Sequence, residues 1–155
     1  MIDMSASTSW TPLAPVSPFG RTSPVFSYPY ARSREALEAL SRNGDPDACH
    51  GWKMQYINPL TGGPAMPTIG AFLQLLPKGY RTSPYRSTDA TVYSVVEGRG
   101  TARIGAQAFD FGPRDTFVVP SWQPVSIDAS DACVLFSYSD RSAQQALGLW
   151  REQRQ

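Results

Sequence analysis

The sequence predicts an all-β fold, a sandwich or barrel of short antiparallel strands. Eight short segments rich in Val, Ile, Thr, Phe and Tyr are bounded by Gly, Pro and Asp, a pattern typical of such folds. No helical pattern lies between these segments, although parallel strands require such a connection. The spacing from Gly79 to Gly98 suits two strands joined by a bend, with alternate side chains facing a barrel interior.

The composition is that of one ordinary domain. The chain has 155 residues, a mass of 17.0 kDa and 41% apolar residues. A net charge of +1 with scattered basic residues disfavours a nucleic-acid partner. No apolar run approaches the roughly 20 residues that span a membrane, and the N-terminus does not resemble a secretory signal. Cys49 and Cys133 are far apart, so we expect two free thiols in a cytoplasmic protein.

The first element is predicted to be a flexible or extended N-terminal arm at residues 1–24. Its Ser, Thr and Pro content buries too little apolar surface to offset the entropy of ordering. We expect residues 1–8 to be disordered and residues 19–30 to dock along the edge of a neighbouring subunit. The aromatic residues that favour docking are Trp10, Phe19, Phe26 and Tyr28. Residues 25–155 then form a single barrel domain with flanking helices.

The segment "ARSREALEALSRNG" predicts one short amphipathic helix over residues 34–42. Ser33 can cap its start, and Asn43-Gly44 is a stop signal. The apolar face at helical spacing consists of Ala36, Leu37 and Leu40.

The strand segments follow this helix and lead to a second helix. We expect strands at residues 52–58, 68–76, 91–98, 101–105, 108–112, 116–120, 124–129 and 133–139. Gly98 and Gly100 predict a hairpin turn with Arg99 exposed at its tip. The C-terminal "SAQQALGLWREQRQ" predicts a short helix that docks Trp150 on the barrel. Its apolar residues at helical spacing are Ala143, Ala146, Leu147 and Trp150.

Few residues in the chain favour catalysis. His50 is the only histidine, and one imidazole cannot build a two-histidine metal site; we interpret it as structural or exposed. The nearest approach to a carboxylate pair is Asp110 and Asp115, which flank the turn "FGPR" and there favour a role in backbone hydrogen bonding. The sequence contains neither a nucleophile elbow nor a phosphate-binding loop.

The spacing from Gly79 to Gly98 resembles the first cupin motif, and "GPRDTFVVPSWQPV" resembles the second. This resemblance implies a jelly-roll barrel, the cupin double-stranded β-helix. Cupins usually hold iron, manganese or another metal through His, His, Glu and His. The four matching positions here are Tyr85, Ser87, Thr91 and Val125. Because these side chains are poor ligands for ferrous iron or no ligands at all, we expect no metal and no cofactor in this chain.

Longer segments resemble the C-terminal half of gentisate 1,2-dioxygenase and of its salicylate and hydroxynaphthoate relatives. They include "YINPLTGGPAMPTIGAFLQLLPKG", "YRSTDATVYSVVEGRG", "FVVPSW" and "ALGLWREQ". The resemblance implies a bicupin whose N-terminal barrel holds ferrous iron and opens the aromatic ring with O2. This sequence shows only the C-terminal form, so no catalytic residue of the family can be transferred to it, and its status as an enzyme stays open.

Three functions remain open on these grounds. The first is a non-catalytic barrel that self-associates as a homodimer or higher oligomer, or that supports an N-terminal-type cupin barrel. The second is a metal-free binder of a small aromatic acid. Its candidate binding residues are Tyr85, Arg86, Tyr93 and Trp122. The third is an autonomous ring-cleaving dioxygenase with an unusual site.

Overall fold

The structure, a computed structural model, describes residues 27–155. This part of the chain forms ten strands and two helices. In chain order they are α1 (Tyr30–Asn43), β1 (Trp52–Gln55), β2 (Gly70–Leu76), β3 (Tyr85–Ser87), β4 (Thr91–Glu97), β5 (Gly100–Ile104), β6 (Gln107–Phe111), β7 (Thr116–Val119), β8 (Val125–Ala129), β9 (Cys133–Ser139), α2 (Arg141–Ala146) and β10 (Glu152–Arg154). All eight strands expected from the sequence are present, and the all-β prediction is confirmed.

The strands form two antiparallel five-stranded sheets that enclose one core. The first sheet has the order β1-β2-β9-β4-β7, and the second has the order β10-β3-β8-β5-β6. Alternate side chains of both sheets point into the space between them, as the pleat of a strand requires. The largest of these buried residues include Leu76, Tyr93, Phe111, Phe117, Ile127 and Leu135.

A second, smaller core lies on the outer face of the first sheet, beneath α1. Leu37 of the helix is fully buried there against Leu73, Leu75 and Val134. This cover explains why β2 is buried on both faces and contains an almost continuous apolar run.

The helix prediction was wrong in its start and in its buried face. The helix begins at Tyr30, so Ser33 lies inside the first turns, where its side chain is buried and caps nothing. Ser33 and Leu37, one turn apart, face the sheet, whereas Ala36 and Leu40 are exposed. A helix packed across a sheet buries a narrow stripe, and the apolar periodicity was too weak to identify it.

The predicted hairpin at Gly98 is also wrong, because β4 and β5 belong to different sheets. The segment crosses from the first sheet to the second, and Arg99 is exposed on it as expected. Gly98 has a φ of +85°, and a Cβ there would lie 2.3 Å from the Ala132 carbonyl oxygen. The crossing therefore needs glycine at this position.

The C-terminal helix ends one turn earlier than its apolar periodicity predicts. Gly148 has a φ of +68°. Its amide donates to the Gln145 carbonyl at 3.1 Å, and the amide of Leu149 donates to the Gln144 carbonyl at 2.8 Å. These two bonds form a Schellman motif, which ends the helix. Trp150 does dock on the barrel, but from the following segment, and the chain then pairs with β3 as β10, a strand that the sequence analysis missed.

The predicted N-terminal arm at residues 1–24 lies outside the described residues, as do Trp10, Phe19 and Phe26. Tyr28 is described, and its hydroxyl donates to the Ile57 carbonyl at 2.6 Å while its ring meets that of Tyr56. Among residues 27–155, no helix is long and apolar enough to cross a membrane.

Candidate functional site

The four positions that match metal ligands in cupins lie together on the inner side of the barrel. Tyr85 and Ser87 belong to β3, Thr91 begins β4, and Val125 begins β8. Tyr85 lies directly opposite Val125 in the pairing of β3 with β8. Tyr85, Ser87 and Val125 are buried and Thr91 is partly buried.

These residues do not fit ferrous iron. Val125 has no donor atom, and burial raises the pKa of the Tyr85 phenol to about 12, which disfavours a phenolate ligand. The hydroxyl of Tyr85 is already engaged: it donates to Glu152 at 3.1 Å and accepts from Arg141 at 3.0 Å. Within the described part of the chain, no group of three or more His, Cys, Asp or Glu side chains could hold a metal ion.

A buried ion pair closes the barrel next to these positions. The Asp89 carboxylate lies 3.4 Å from the Arg141 guanidinium and accepts a hydrogen bond from the Trp150 indole at 2.9 Å. Arg141 in turn stacks on the Trp150 ring at 4.6 Å. Burial opposes ionisation of Asp89, but Arg141 and the hydrogen bonds outweigh it and hold the pKa at about 2. The C-terminal segment is thereby fixed to the barrel.

His50 packs into the same region as a neutral ring. It is buried, and its ring meets that of Tyr85 edge-on at 4.4 Å. Burial, helped by the nearby Lys53, lowers its pKa to about 3. His50 is therefore buried against an aromatic ring, and its interpretation as a structural residue stays a prediction.

The structure does not bring together the four predicted aromatic-acid residues. Tyr85 and Tyr93 face the barrel interior, where Tyr93 stacks on Phe117 at 5.1 Å. Arg86 follows Tyr85 in β3 and therefore points to the opposite face. On that outer face its guanidinium lies 4.8 Å from the ring of the exposed Trp122.

The carboxylate pair considered above serves backbone and side-chain hydrogen bonds. Asp115 accepts from the Gly112 amide at 2.7 Å, and Asp110 accepts from the Thr101 hydroxyl at 2.7 Å. Each carboxylate has its own local partner, so their arrangement is that of a turn and of a strand pair.

Sequence reasoning missed Lys53, Asp89 and Arg141, which carry most of the charge inside the barrel. They come from β1, from the bend after β3 and from the start of α2. No short motif joins three residues so far apart in the chain. The only available signal for Lys53 was its place between Trp52 and Met54, because alternation assigns it to the face opposite these apolar neighbours.

Among residues 27–155, no segment covers an apolar groove of about 820 Å³ on the outer face of the first sheet, beside α1. Leu73 and Phe136 form its floor, and Tyr28, Tyr56 and the half-exposed Met66 form part of its walls. Exposed apolar grooves are candidate binding surfaces for another protein or for an apolar ligand.

Comparison with known proteins places this barrel in a family. Over 135 residues, or 87% of its length, the chain is 64% identical to gentisate 1,2-dioxygenase 1 of Aquipseudomonas alcaligenes, of which it covers 39%. The chain belongs to the gentisate 1,2-dioxygenase family. It corresponds to a C-terminal cupin half of its members. It is also 37% identical over 132 residues to the 5-aminosalicylate 1,2-dioxygenase of a Comamonas species, covering 84% of this chain and 35% of that relative.

Solved structures of the gentisate 1,2-dioxygenase family agree with the fold. The salicylate 1,2-dioxygenase of Pseudoaminobacter salicylatoxidans, solved with gentisate, is 29% identical and superimposes with a TM-score of 0.76 over 83% of this chain and 36% of its own. The cupin fold is thus confirmed. The chain spans between 35% and 39% of the length of these three relatives. No protein-family model matches the chain.

Proposed function

We propose that this chain is a metal-free supporting barrel of a gentisate 1,2-dioxygenase-like assembly and does not open an aromatic ring by itself. The observation that carries the proposal is the ligand set. Tyr85, Ser87, Thr91 and Val125 offer neither imidazole nor carboxylate, the groups that bind iron in such barrels. The family resemblance implies that ferrous iron is held by the other, N-terminal-type barrel.

The apolar groove on the first sheet is the surface through which the chain would support that barrel. The relatives that this chain matches carry more than half of their length outside the matched part. The bicupin resemblance implies that these additional residues include a second barrel, and an apolar face offers that barrel a packing surface. We therefore assign the groove between α1 and β4 to an N-terminal-type cupin barrel.

Arg34 and Glu97 hold α1 and β4 together at one edge of the groove. The Arg34 guanidinium lies 3.3 Å from the Glu97 carboxylate at the end of β4, and the Tyr30 hydroxyl donates to the same carboxylate. These contacts tie the start of α1 to the sheet, so the wall of the groove is preorganised for a partner. In such an assembly, the chain contributes a rigid packing surface to the barrel that does the chemistry.

Two measurements test this function. The purified chain, supplied with ferrous iron and gentisate, should consume oxygen no faster than a boiled sample. The part of the A. alcaligenes relative that this chain does not match, produced separately, should co-elute with the chain and gain oxygen uptake in its presence. Oxygen uptake by the chain alone would contradict the metal-free reading, and separate elution of the two parts would contradict the supporting role.

We also assign the chain to the cytoplasm as part of this proposal. Cys49 and Cys133 are both buried free thiols, which suits a reducing compartment.

A further inference from the structure

Lys53 holds an amine inside the barrel without a carboxylate partner. Its position on β1 faces Gln74, and the two side chains share the inner face of the first sheet. The ammonium nitrogen lies 4.9 Å from the centre of the Phe72 ring and 6.0 Å from that of Tyr93. Of the carboxylates in residues 27–155, none lies within 4.0 Å of this nitrogen.

Lys53 lines an open cavity of about 390 Å³ together with Arg141. The Arg141 guanidinium lies 5.1 Å from the Phe72 ring, so both cations flank one aromatic side chain. Phe72 adds an apolar wall to the cavity, which therefore has room for an organic body beside its positive charge.

The carboxylates around this cavity are already committed to other partners. Asp89 pairs with Arg141, and Asp47 pairs with Arg154 at 2.6 Å and accepts two backbone amides. Glu152 accepts from Tyr85 and lies 3.5 Å from Arg154, while Asp45 lies on the exposed rim. The charge of Lys53 therefore has no carboxylate of its own among the surrounding side chains.

Lys53 is half-buried, and a charge partly removed from water without a partner favours either loss of the proton or uptake of an anion. Burial and the repulsion of Arg141 lower its pKa to about 7, although Asp89, Asp47 and Glu152 act in the opposite direction. An anion next to Lys53 would restore the ammonium form. Two further groups on the inner face have unused bonding capacity, since the Gln74 carbonyl oxygen and the Ser137 hydroxyl are buried without hydrogen-bond partners. Ser137 lies opposite both Phe72 and Tyr93 in the sheet register.

We propose that the Lys53–Arg141 cavity binds a small organic carboxylate, with Lys53 as its counter-ion. One uncompensated cation matches a single negative charge better than a phosphate dianion. The apolar walls and the volume match an organic acid better than an inorganic ion. This site differs from the residue set predicted from the sequence, and its occupancy does not require a second barrel.

The chain contains only two lysines, Lys53 and Lys78, and this permits a selective test. Lys78 is 76% exposed and serves as an internal reference. In protein labelled with carbon-13 at the lysine Cε, benzoate should shift the Lys53 signal saturably, with a Kd of about 1 mM or tighter. It should also raise the pH at which that signal titrates. Neutral benzamide and an equal concentration of sodium chloride should leave the Lys53 signal in place.

A matched pair of variants completes the test. K53M keeps an apolar side chain of similar length and should weaken benzoate binding at least tenfold by calorimetry, whereas K78M should bind as the unchanged protein does. Equal shifts with benzamide or chloride, no saturation with benzoate, or equal binding by folded K53M would overturn the proposal. The labelling experiment on the unchanged protein decides the matter even if K53M fails to fold.

Discussion

Tyr85 and Val125, which the sequence analysis matched to metal-ligand positions of cupins, face each other across two neighbouring strands. Their exposed fractions are 5% and 7%, so a phenol and an isopropyl group fill this part of the interior. A valine side chain cannot coordinate a cation, and the phenol oxygen is committed to Arg141 and Glu152. Packing and a hydrogen-bond network thus fill this part of the barrel interior.

The first prediction concerns metal. After incubation with ferrous iron and desalting, the chain should retain far less than one equivalent of iron, zinc or manganese, because its four ligand positions lack imidazole and carboxylate groups. Elemental analysis of the desalted protein checks this expectation. One tightly bound equivalent that is lost in Tyr85→Phe or Ser87→Ala would show that the packed interior opens to form a site.

The second prediction concerns the crossing between the sheets. Gly98→Ala should lower the free energy of unfolding by about 3 kcal/mol or more. This loss combines about 1–2 kcal/mol for a left-handed backbone with about 1–3 kcal/mol for overpacking against the Ala132 carbonyl. Gly79 is the matched control, because it has a φ of +78° but nothing within 4 Å of a new Cβ. Urea unfolding of both variants should show the larger loss in Gly98→Ala; equal losses would contradict the steric argument.

Local turn chemistry explains why the strands could be predicted from the sequence while their sheet partners could not. Gly and Pro punctuation marks where a strand ends, and this information lies within a few residues. Gly98 ends β4 whether the chain turns into a hairpin or crosses to the other sheet. Which of the two occurs depends on which strands pair, and strand pairing is a property of the tertiary structure. The strand β10 was missed for the same reason, because its partner β3 is distant in the sequence.

In the candidate site, too, features set by nearby residues could be predicted from the sequence, whereas contacts between distant segments could not. Positions 85, 87 and 125 were placed inside the barrel by motif spacing, and the structure buries them there. Strand alternation already implied that Arg86 points away from Tyr85, so the predicted grouping of these two residues contradicted a local rule. The Asp89–Arg141 pair could not be anticipated, because its partners meet only when α2 packs on the end of the barrel. Gly148, by contrast, was an available stop signal for α2.

The third prediction concerns the buried Asp89 carboxylate. Its pKa of about 2 lies below the ordinary 3.8, so its ionised form stabilises the fold by about 2 kcal/mol above pH 4, and this contribution is lost as the pH falls from about 4 to about 2. Asp89→Asn should cost about 3 kcal/mol at pH 7 because Arg141 loses its counter-charge. Urea unfolding should show this cost shrinking below pH 4.

Asp131→Asn is the control for that experiment. The Asp131 carboxylate is 56% exposed and lies 4.0 Å from the Lys78 ammonium. A surface pair of this kind contributes at most about 1 kcal/mol, so the variant should unfold almost as the unchanged protein does. A cost of Asp89→Asn that stayed constant from pH 7 to pH 3 would contradict the assigned pKa.

The fourth prediction concerns Lys53 in the absence of a carboxylate ligand. Its folded-state pKa of about 7 lies below the ordinary 10.5, so the unfolded chain binds the extra proton between these values. Stability should therefore rise as the pH increases from about 7. Burial and Arg141 disfavour the charge on Lys53, whereas Asp89, Asp47 and Glu152 favour it. K53M should abolish most of this rise in the urea midpoint between pH 6.5 and pH 9. If K78M lost the rise in stability and K53M kept it, the rise would belong to Lys78, which would contradict the prediction.

The fifth prediction concerns association through the apolar groove. Without a second barrel, the exposed groove can bury its surface against another copy, and closed two-fold pairs are the commonest arrangement. Light scattering of the purified chain should give a mass above the 17.0 kDa of one copy. Met66→Glu places a charge in the groove, where Met66 is 49% exposed, and should lower the mass. Leu147→Glu, at a site 72% exposed and outside the groove, should leave the mass unchanged.

A 17.0 kDa species at micromolar concentration would contradict self-association. If Met66→Glu left the oligomer intact and only deletion of residues 1–26 dissociated it, the contact between copies would be made by that segment and not by the groove.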